Sequence, residues 1–287
     1  MMKSDPTKYA LVDGVVKNYL EGSPSLWVLE QGLYTSQQRR LLFGVFNLES
    51  GARILDAGCG YGICAFDFVG QLDVAVDGVD FDSEKLSVAR EIQSQLDSQD
   101  YFVKGSELTF TQGSLETLPF EDSRFDFAIS SFVFQHLSDP QSCADELYRV
   151  TKPGGSVCLI DADDGLSLVY PQVSEAYSKL SDAFDAYQLS NGGDRQVGRK
   201  LATYLDGAGF EITSVIVMPV AEYKGSQTDD KGRTFVIERF RQARDSIIEA
   251  GLLGPEEFDQ CLDLYSKEAS MVQFRTNSQL VVIAKRP

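Results

Sequence analysis

Three glycines at alternate positions, Gly58, Gly60 and Gly62, follow the apolar run Ile54-Leu55 and precede Ile63-Cys64-Ala65-Phe66-Asp67-Phe68, which turns to helical spacing. A strand feeding a helix through such a turn brings bare backbone N–H groups and the positive helix end against a ligand. Side chains at these positions would hold the ligand away, and some of them need positive φ. Asp56 stands just ahead of the turn and Cys59 lies within it. The spacing is one residue shorter than the dinucleotide fingerprint G-x-G-x-x-G. Asp80, 18 residues beyond Gly62, closes a second apolar run and is placed to accept from both hydroxyls of a ribose. Asp77 is the rival for that part, but it lies earlier in the run. Phe81 can lie along an adenine face or pack in the core.

A second set of residues could move protons. His136 is the single histidine, and its unperturbed pKa suits general acid–base work. A structural histidine at the start of a loop is the other reading. Asp161, Asp163 and Asp164 are rival proton acceptors or a solvated acidic loop. The five cysteines, Cys59, Cys64, Cys143, Cys158 and Cys261, are scattered and show no metal-ligand spacing. They read as reduced and mostly buried, and no metal site is expected.

The elements that must position these residues follow a recognisable rhythm. In residues 1–50, Val12, Val15, Val16 and Leu20 keep helical spacing until Gly22-Ser23-Pro24, and Ser25-Leu26-Trp27-Val28-Leu29 carries the only tryptophan. Thr35-x-x-Gln38 reads as a capping box for a helix through Leu41, Leu42, Val45 and Phe46. These helices, with Tyr34, suit a lid or plain packing equally. From 52 to 161, strands are expected at Val74–Phe81, Leu108–Gln112, Phe125–Ser130 and Val157–Ile160, besides the one before the glycine turn. Ser83 can cap a helix bearing Leu86, Ala89, Ile92 and Leu96 on one face. Asp139-Pro140 supplies a cap and an N1 proline for a helix with Ala144, Leu147 and Val150, ending at Pro153-Gly154-Gly155. Strands alternating with single helices imply a parallel, doubly wound sheet with its ligand outside the carboxyl ends of the strands. Beyond Asp161 come an acidic and aromatic stretch to Gly192-Gly193, a helix through Val197, Leu201, Tyr204, Leu205 and Ala208, and a strand at Ile212–Val220. An insertion carries one helix through Val236, Phe240, Ala243 and Ile247 and another from Pro255 through Phe258, Leu262 and Tyr265. Gln279–Ala284 is the last strand.

Four separate segments then make the pattern specific: Thr111-Gln112-Gly113-Ser114-Leu115-Glu116-Thr117-Leu118-Pro119-Phe120, Phe125-Asp126-Phe127-Ala128-Ile129-Ser130-Ser131, Phe132-Val133-Phe134-Gln135-His136-Leu137, and Arg149-Val150-Thr151-Lys152-Pro153-Gly154-Gly155. With the glycine turn, their order resembles the small-molecule branch of the class I S-adenosylmethionine (SAM)-dependent methyltransferases, which includes ubiquinone/menaquinone-type and natural-product enzymes. The resemblance covers residues 50–161 strongly and 195–220 moderately. It implies SAM as cofactor and S-adenosylhomocysteine as product. By position it implies that Gly58, Cys59 and Gly60 meet the methionyl part through backbone, with Gly62 completing the turn. It places Asp56 near the ammonium group through water and Asp80 on the ribose. Ser114 and Leu115 would meet the adenine edge, and the Ser130 carbonyl would accept from the ammonium. The family usually has an acidic residue where Ser114 stands; a hydroxyl can still accept that bond. The family has His-Leu at 136–137 across unrelated substrates, so His136 stays both a catalytic candidate and a structural one. Tyr170, Tyr177, Phe184 and Tyr187 are candidates for lining an acceptor pocket, or for core packing.

The expected fold is α/β: a doubly wound, mostly parallel, seven-stranded Rossmann-like sheet with a helical cap. Residues 1–50 would form an N-terminal helical lid and 51–287 the SAM-binding domain, with cap insertions at about 162–193 and 221–273. Asp and Glu number 43 against 26 Lys and Arg, a net charge of -17. That field repels a phosphate backbone and argues against nucleic acid, and for a small organic acceptor. The basic clusters Arg39-Arg40 and Arg239/Arg241/Arg244 read as solvated helix faces. No apolar run reaches the roughly 18–20 residues that span a bilayer, and no signal-peptide pattern opens the chain, so no membrane association is expected and the cytoplasm is the expected location. The oligomeric state is open, a homodimer included. Two other classes stay open: a SAM-binding protein without transfer activity serving as partner or regulator, and a Rossmann-type NAD(P) oxidoreductase, which leaves the Pro-Gly-Gly element unexplained.

Overall fold

The computed structural model describes residues 5–22, 27–46, 48–172, 174–223, 231–269 and 274–287. Two helices lead, α1 (Pro6–Gly22) and α2 (Trp27–Phe46). The chain then runs β1 (Arg53–Ala57), α3 (Ile63–Gln71), β2 (Ala75–Asp80), α4 (Ser83–Asp97), β3 (Glu107–Gln112), β4 (Phe125–Ser131), α5 (Pro140–Val150) and β5 (Thr151–Ala162). It continues with β6 (Leu168–Tyr170), α6 (Glu175–Ser190), α7 (Leu201–Gly207), β7 (Glu211–Tyr223), α8 (Lys231–Glu249), α9 (Pro255–Ala269) and β8 (Phe274–Lys285).

The sheet runs β3-β2-β1-β4-β5-β8, with β7 on the outer edge of β8. The first five strands are parallel and β8 is antiparallel to β5 and β7. This is the doubly wound, mostly parallel sheet the strand–helix alternation predicts, with one addition. β5 pairs with Gln279–Lys285, and the three-residue β6 pairs with Phe274–Thr276, further along the same edge of β8. An eighth strand is thus a short continuation of the β5 position.

Period-2 alternation sorts the strands' side chains onto two faces. Ile54, Phe127, Ile160 and Val281 join Val12 and Val16 of α1, Phe43 and Phe46 of α2, Phe66 and Phe68 of α3 and Leu86 of α4. Their neighbours Leu55, Ala128, Leu159 and Val282 pack on the other face against Leu147 of α5 and Leu201 and Leu205 of α7. The leading helices therefore share the main core. A third, smaller core joins α6, α8 and α9 through Leu180, Phe184, Phe240, Ile247 and Phe258.

Several local expectations shift. Thr35 lies in the middle of α2, its hydroxyl bonded to the Gln31 carbonyl at 3.0 Å, so Thr35-x-x-Gln38 caps nothing. The helix begins earlier because the run from Trp27 onward holds no breaker strong enough to stop it. Asp82, not Ser83, caps α4, accepting the Glu84 and Lys85 amides. Asp139 and Pro140 begin α5 as expected. That helix ends at Val150, and Pro153-Gly154-Gly155 falls in a register shift within β5, where Gly154 takes φ +78°.

Candidate functional site

The glycine turn sits at the carboxyl ends of β1 and β2. Gly58 and Cys59 both donate to the Val79 carbonyl, at 2.8 and 2.9 Å, and Gly62 donates back to Cys59 at 2.8 Å. All three glycines have positive φ, for two different reasons. A Cβ on Gly58 would lie 2.4 Å from Val133 Cγ2, and one on Gly62 2.6 Å from the Phe110 ring, so protein atoms occupy both spaces. A Cβ on Gly60 would meet nothing within 4 Å. Gly60 exposes its backbone to open space, which is the cradle a ligand needs.

Asp80 faces that cradle. Its Oδ2 accepts the Gly60 amide at 2.8 Å and its Oδ1 the Asp82 amide at 3.0 Å. A carboxylate has about four lone-pair sites, so acceptor capacity remains for ribose hydroxyls. Asp77, the rival, is engaged elsewhere in an ion pair with Arg124 at 2.7 Å. Phe81 is 72% exposed beside Asp80, which removes the core reading of that ring; Lys85 Nζ lies 5.7 Å from its centroid. Cys59 is buried, its sulfur against Gly78.

Asp56 is buried in β1, and its Oδ2 accepts the Ala65 amide at the start of α3 at 3.1 Å. Burial pushes its pKa up to about 7, against the opposing pull of the Arg39 charge and that amide. Arg39 is itself buried and Arg40 partly so, both bonded to Asp67, with Arg40 also on Asp13 at 2.7 Å. The expected solvated face is therefore an internal ion-pair network bracing α2 against α3. Gly32 of α2 also approaches Ile63 at the start of α3.

Ser130 is buried and its hydroxyl donates to the Ala57 carbonyl at 2.8 Å, tying β4 to the end of β1. Two residues on, Phe132 takes φ +60° while its amide holds the Ile160 carbonyl at 2.8 Å. A bulky residue in that conformation marks a strained strand end. Ser114 is exposed and its hydroxyl accepts the Glu116 amide at 3.2 Å, so one of its acceptor positions is already used. The Leu115 side chain lies in the second core, leaving only its backbone for a ligand.

His136 follows the β4 end with an exposed side chain, and among the described residues its imidazole makes no hydrogen bond. The protein around it, then the charges of Arg195 and Lys85, push its pKa down to about 4. The acidic residues at the end of β5 and just beyond it are not a solvated loop. Asp161 is buried, accepting the Ala162 amide at 2.8 Å and the Gln135 amide at 3.2 Å, and burial pushes its pKa up to about 7. Asp163 is held by Arg199 through two bonds of 2.6 and 2.7 Å. Asp164 takes a fork of bonds from Arg195, which also reaches Gln135 Oε1. Gln135 and Arg195 organise this floor, and the sequence reading passed over both. The signal was an arginine directly after Gly192-Gly193-Asp194, opposite three aspartates.

The aromatic candidates divide. Tyr170 is exposed, Phe184 is core, and Tyr177 and Tyr187 pack at the edge of the third cluster. Arg239 is not a solvated cation: its guanidinium lies 4.8 Å from the Phe184 ring centroid and 3.8 Å from Asp164. Arg241 is exposed, as the sequence suggested. All five cysteines are buried and free. Among the described residues there is no cluster suited to a metal ion, and no helix long and apolar enough to cross a membrane.

A family model described as "Methyltransferase domain" matches residues 55–159. An uncharacterized methyltransferase of Schizosaccharomyces pombe is 39% identical over 124 residues, 43% of this chain and 44% of that protein. Demethylmenaquinone methyltransferase of Oceanobacillus iheyensis is 30% identical over 137 residues, 47% of this chain and 54% of that protein. The chain spans about half the length of these relatives. Among solved structures, a candidate methyltransferase from Bacillus halodurans superposes with TM-score 0.57 at 19% identity, covering 86% of this chain and 97% of that one. Geranyl diphosphate methyltransferase in complex with SAM superposes at 0.51 with 13% identity, covering 88% and 85%. These superpositions speak for the fold. The sequence match over the glycine turn and the strands around it identifies residues 55–159 as a methyltransferase domain.

Proposed function

We propose that the protein transfers a methyl group from SAM to an oxygen, nitrogen or carbon nucleophile of a small organic molecule. The observation that carries this reading is the open backbone of Gly60 latched to the Asp80 carboxylate. The residues present fit the cofactor: the backbone of Gly58, Cys59 and Gly60 borders the methionyl part, with Gly62 closing the turn. The buried Asp56 suits the ammonium group through water, Asp80 the ribose, Phe81 an adenine face, and Ser114 with the Leu115 backbone the adenine edge. The Ser130 carbonyl completes the ammonium's acceptors.

When bound, SAM supplies a carbon already activated by its sulfonium leaving group. The chain then has to orient the acceptor, exclude water and, where the acceptor arrives protonated, receive its proton. His136, neutral at pH 7 and exposed beyond β4, is the group for that last task. Helices α6, α8 and α9 and residues 1–50 are proposed as cap and lid over the acceptor side, and the acidic surface favours a small molecule over nucleic acid. Calorimetric titration tests the reading. SAM and S-adenosylhomocysteine should bind at least about a hundredfold more tightly than NADH, a gap of about 2.7 kcal/mol. Equal affinity for NADH would replace it with an oxidoreductase.

A further inference from the structure

We infer that the methyl acceptor carries a carboxylate, received by Arg275 in the pocket between the end of the sheet and helices α6, α8 and α9. Arg275 is 6% exposed, and among the described residues its buried Nη1 has no hydrogen-bond partner and the side chain no ion pair. It lies one residue into β8, opposite Val169 of β6, so Arg275, Asn277, Ser167 and Val169 line one side of a pocket of about 50 Å³. Tyr177 of α6 and Tyr265 of α9 line the other.

A guanidinium cannot shed its charge, and an unmet buried donor costs the full desolvation of the group. Its planar fork matches a carboxylate in two parallel bonds. A second orphan lies next to the pocket. Arg239 Nε is buried without a partner, and Arg239 is one helical turn from the pocket residue Val236 and acts electrostatically on Tyr177. The carboxylates facing Arg239 are Asp164, already forked onto Arg195, and Asp185, whose own Oδ1 is buried and unmet; the residue across from Arg275 on β7 is Glu222. A line of contacts runs from Gln135, the neighbour of His136, through Arg195 and Asp164 to Arg239, one helical turn from the pocket residue Val236. An acceptor anchored by its anion at Arg275 would extend along that line. This inference rests on the methyltransferase reading and narrows its acceptor.

The test uses a panel of aliphatic and aromatic carboxylic acids, each beside its methyl ester, with inorganic phosphate as a further probe. Binding is measured by calorimetry with S-adenosylhomocysteine present, and methyl transfer is followed separately with labelled SAM. Acids should bind at least about tenfold more tightly than their esters, a gap of about 1.4 kcal/mol. Arg275→Gln should erase that gap without changing S-adenosylhomocysteine affinity, and Arg275→Lys should restore part of it. If Arg275→Gln does not fold, Arg239→Gln should narrow the same gap. Acids and esters binding alike, a gap that survives Arg275→Gln, phosphate binding without any acid, or no panel member binding while S-adenosylhomocysteine does, would each overturn the inference. Loss of S-adenosylhomocysteine binding by the wild type would instead sink the methyltransferase reading, and the acid–ester comparison would still read the anion site.

Discussion

Asp80 Oδ2 accepts the Gly60 amide at 2.8 Å, so the carboxylate proposed to hold the ribose also sets the backbone of the cradle. Asp80→Ala removes both functions at once. It should lower SAM affinity by about 1–3 kcal/mol. Asp77→Ala breaks only the partly exposed pair with Arg124, and should cost about 1 kcal/mol of stability or less while leaving SAM affinity intact. Calorimetry and urea unfolding separate the two, and exchanged phenotypes would mean that the wrong aspartate has been assigned.

The two kinds of glycine in the turn predict opposite outcomes. Gly58→Ala drives a methyl group to 2.4 Å from Val133 at positive φ, so it should destabilise the fold. Gly60→Ala meets open space and bears only the left-handed backbone cost, about 1–2 kcal/mol. It should fold and still lose SAM affinity, because the added methyl occupies the cradle. A Gly60→Ala protein that binds SAM as tightly as wild type would remove Gly60 from the site.

Much of this arrangement was legible because it is local. Short apolar runs in β1, β4 and β8, helical spacing in α4 and α5, and the glycine turn each announce themselves within a dozen residues. Asp80 was readable by its distance from Gly62. The charged interior was not. Arg39 and Arg40 find Asp67 nearly thirty residues later, and Asp163 finds Arg199 after 36 more, and no periodicity records such pairings. Charge runs were read as solvated because burial of a charge needs a partner that only the tertiary fold supplies. The unmet guanidinium of Arg275 belongs to the same class of facts. The β6 strand, three residues long, exists only because β8 offers an unpaired edge beyond β5.

Asp56 gives the site a pH dependence. An aspartate in the unfolded chain ionises near about 3.9, whereas burial raises this one to about 7 in the fold. Between those values the folded state keeps a proton that the unfolded chain has lost, so this group's contribution to stability falls as pH rises from about 4 to about 7. Asp56→Asn should flatten that slope, and Asp161, also raised to about 7, should leave a second one. The ammonium of the cofactor favours the ionised carboxylate. Affinity for S-adenosylhomocysteine should therefore rise between about pH 6 and pH 8, with proton release seen as a buffer-dependent heat, and Asp56→Asn should abolish both. A wild-type affinity independent of pH over that range would place the ammonium elsewhere.

His136 separates proton transfer from scaffolding. The exposed, unbonded imidazole contributes little to the fold, so His136→Ala should melt close to wild type. If it receives the acceptor's proton, the same variant should lose about 10²–10⁴-fold in kcat with SAM affinity nearly unchanged. An unperturbed histidine would give a rate that climbs through about pH 6.5. Here the pKa is pushed down to about 4, so the basic form is present throughout neutral pH and that limb of the profile should move to about pH 4. Opposite to Asp56, this lowered group's contribution to stability is complete above the unfolded value and is lost as pH falls toward 4. Rate and melting temperature have to be measured together. A His136→Ala enzyme that keeps its turnover would assign the proton to solvent, or show that the nucleophile arrives without one.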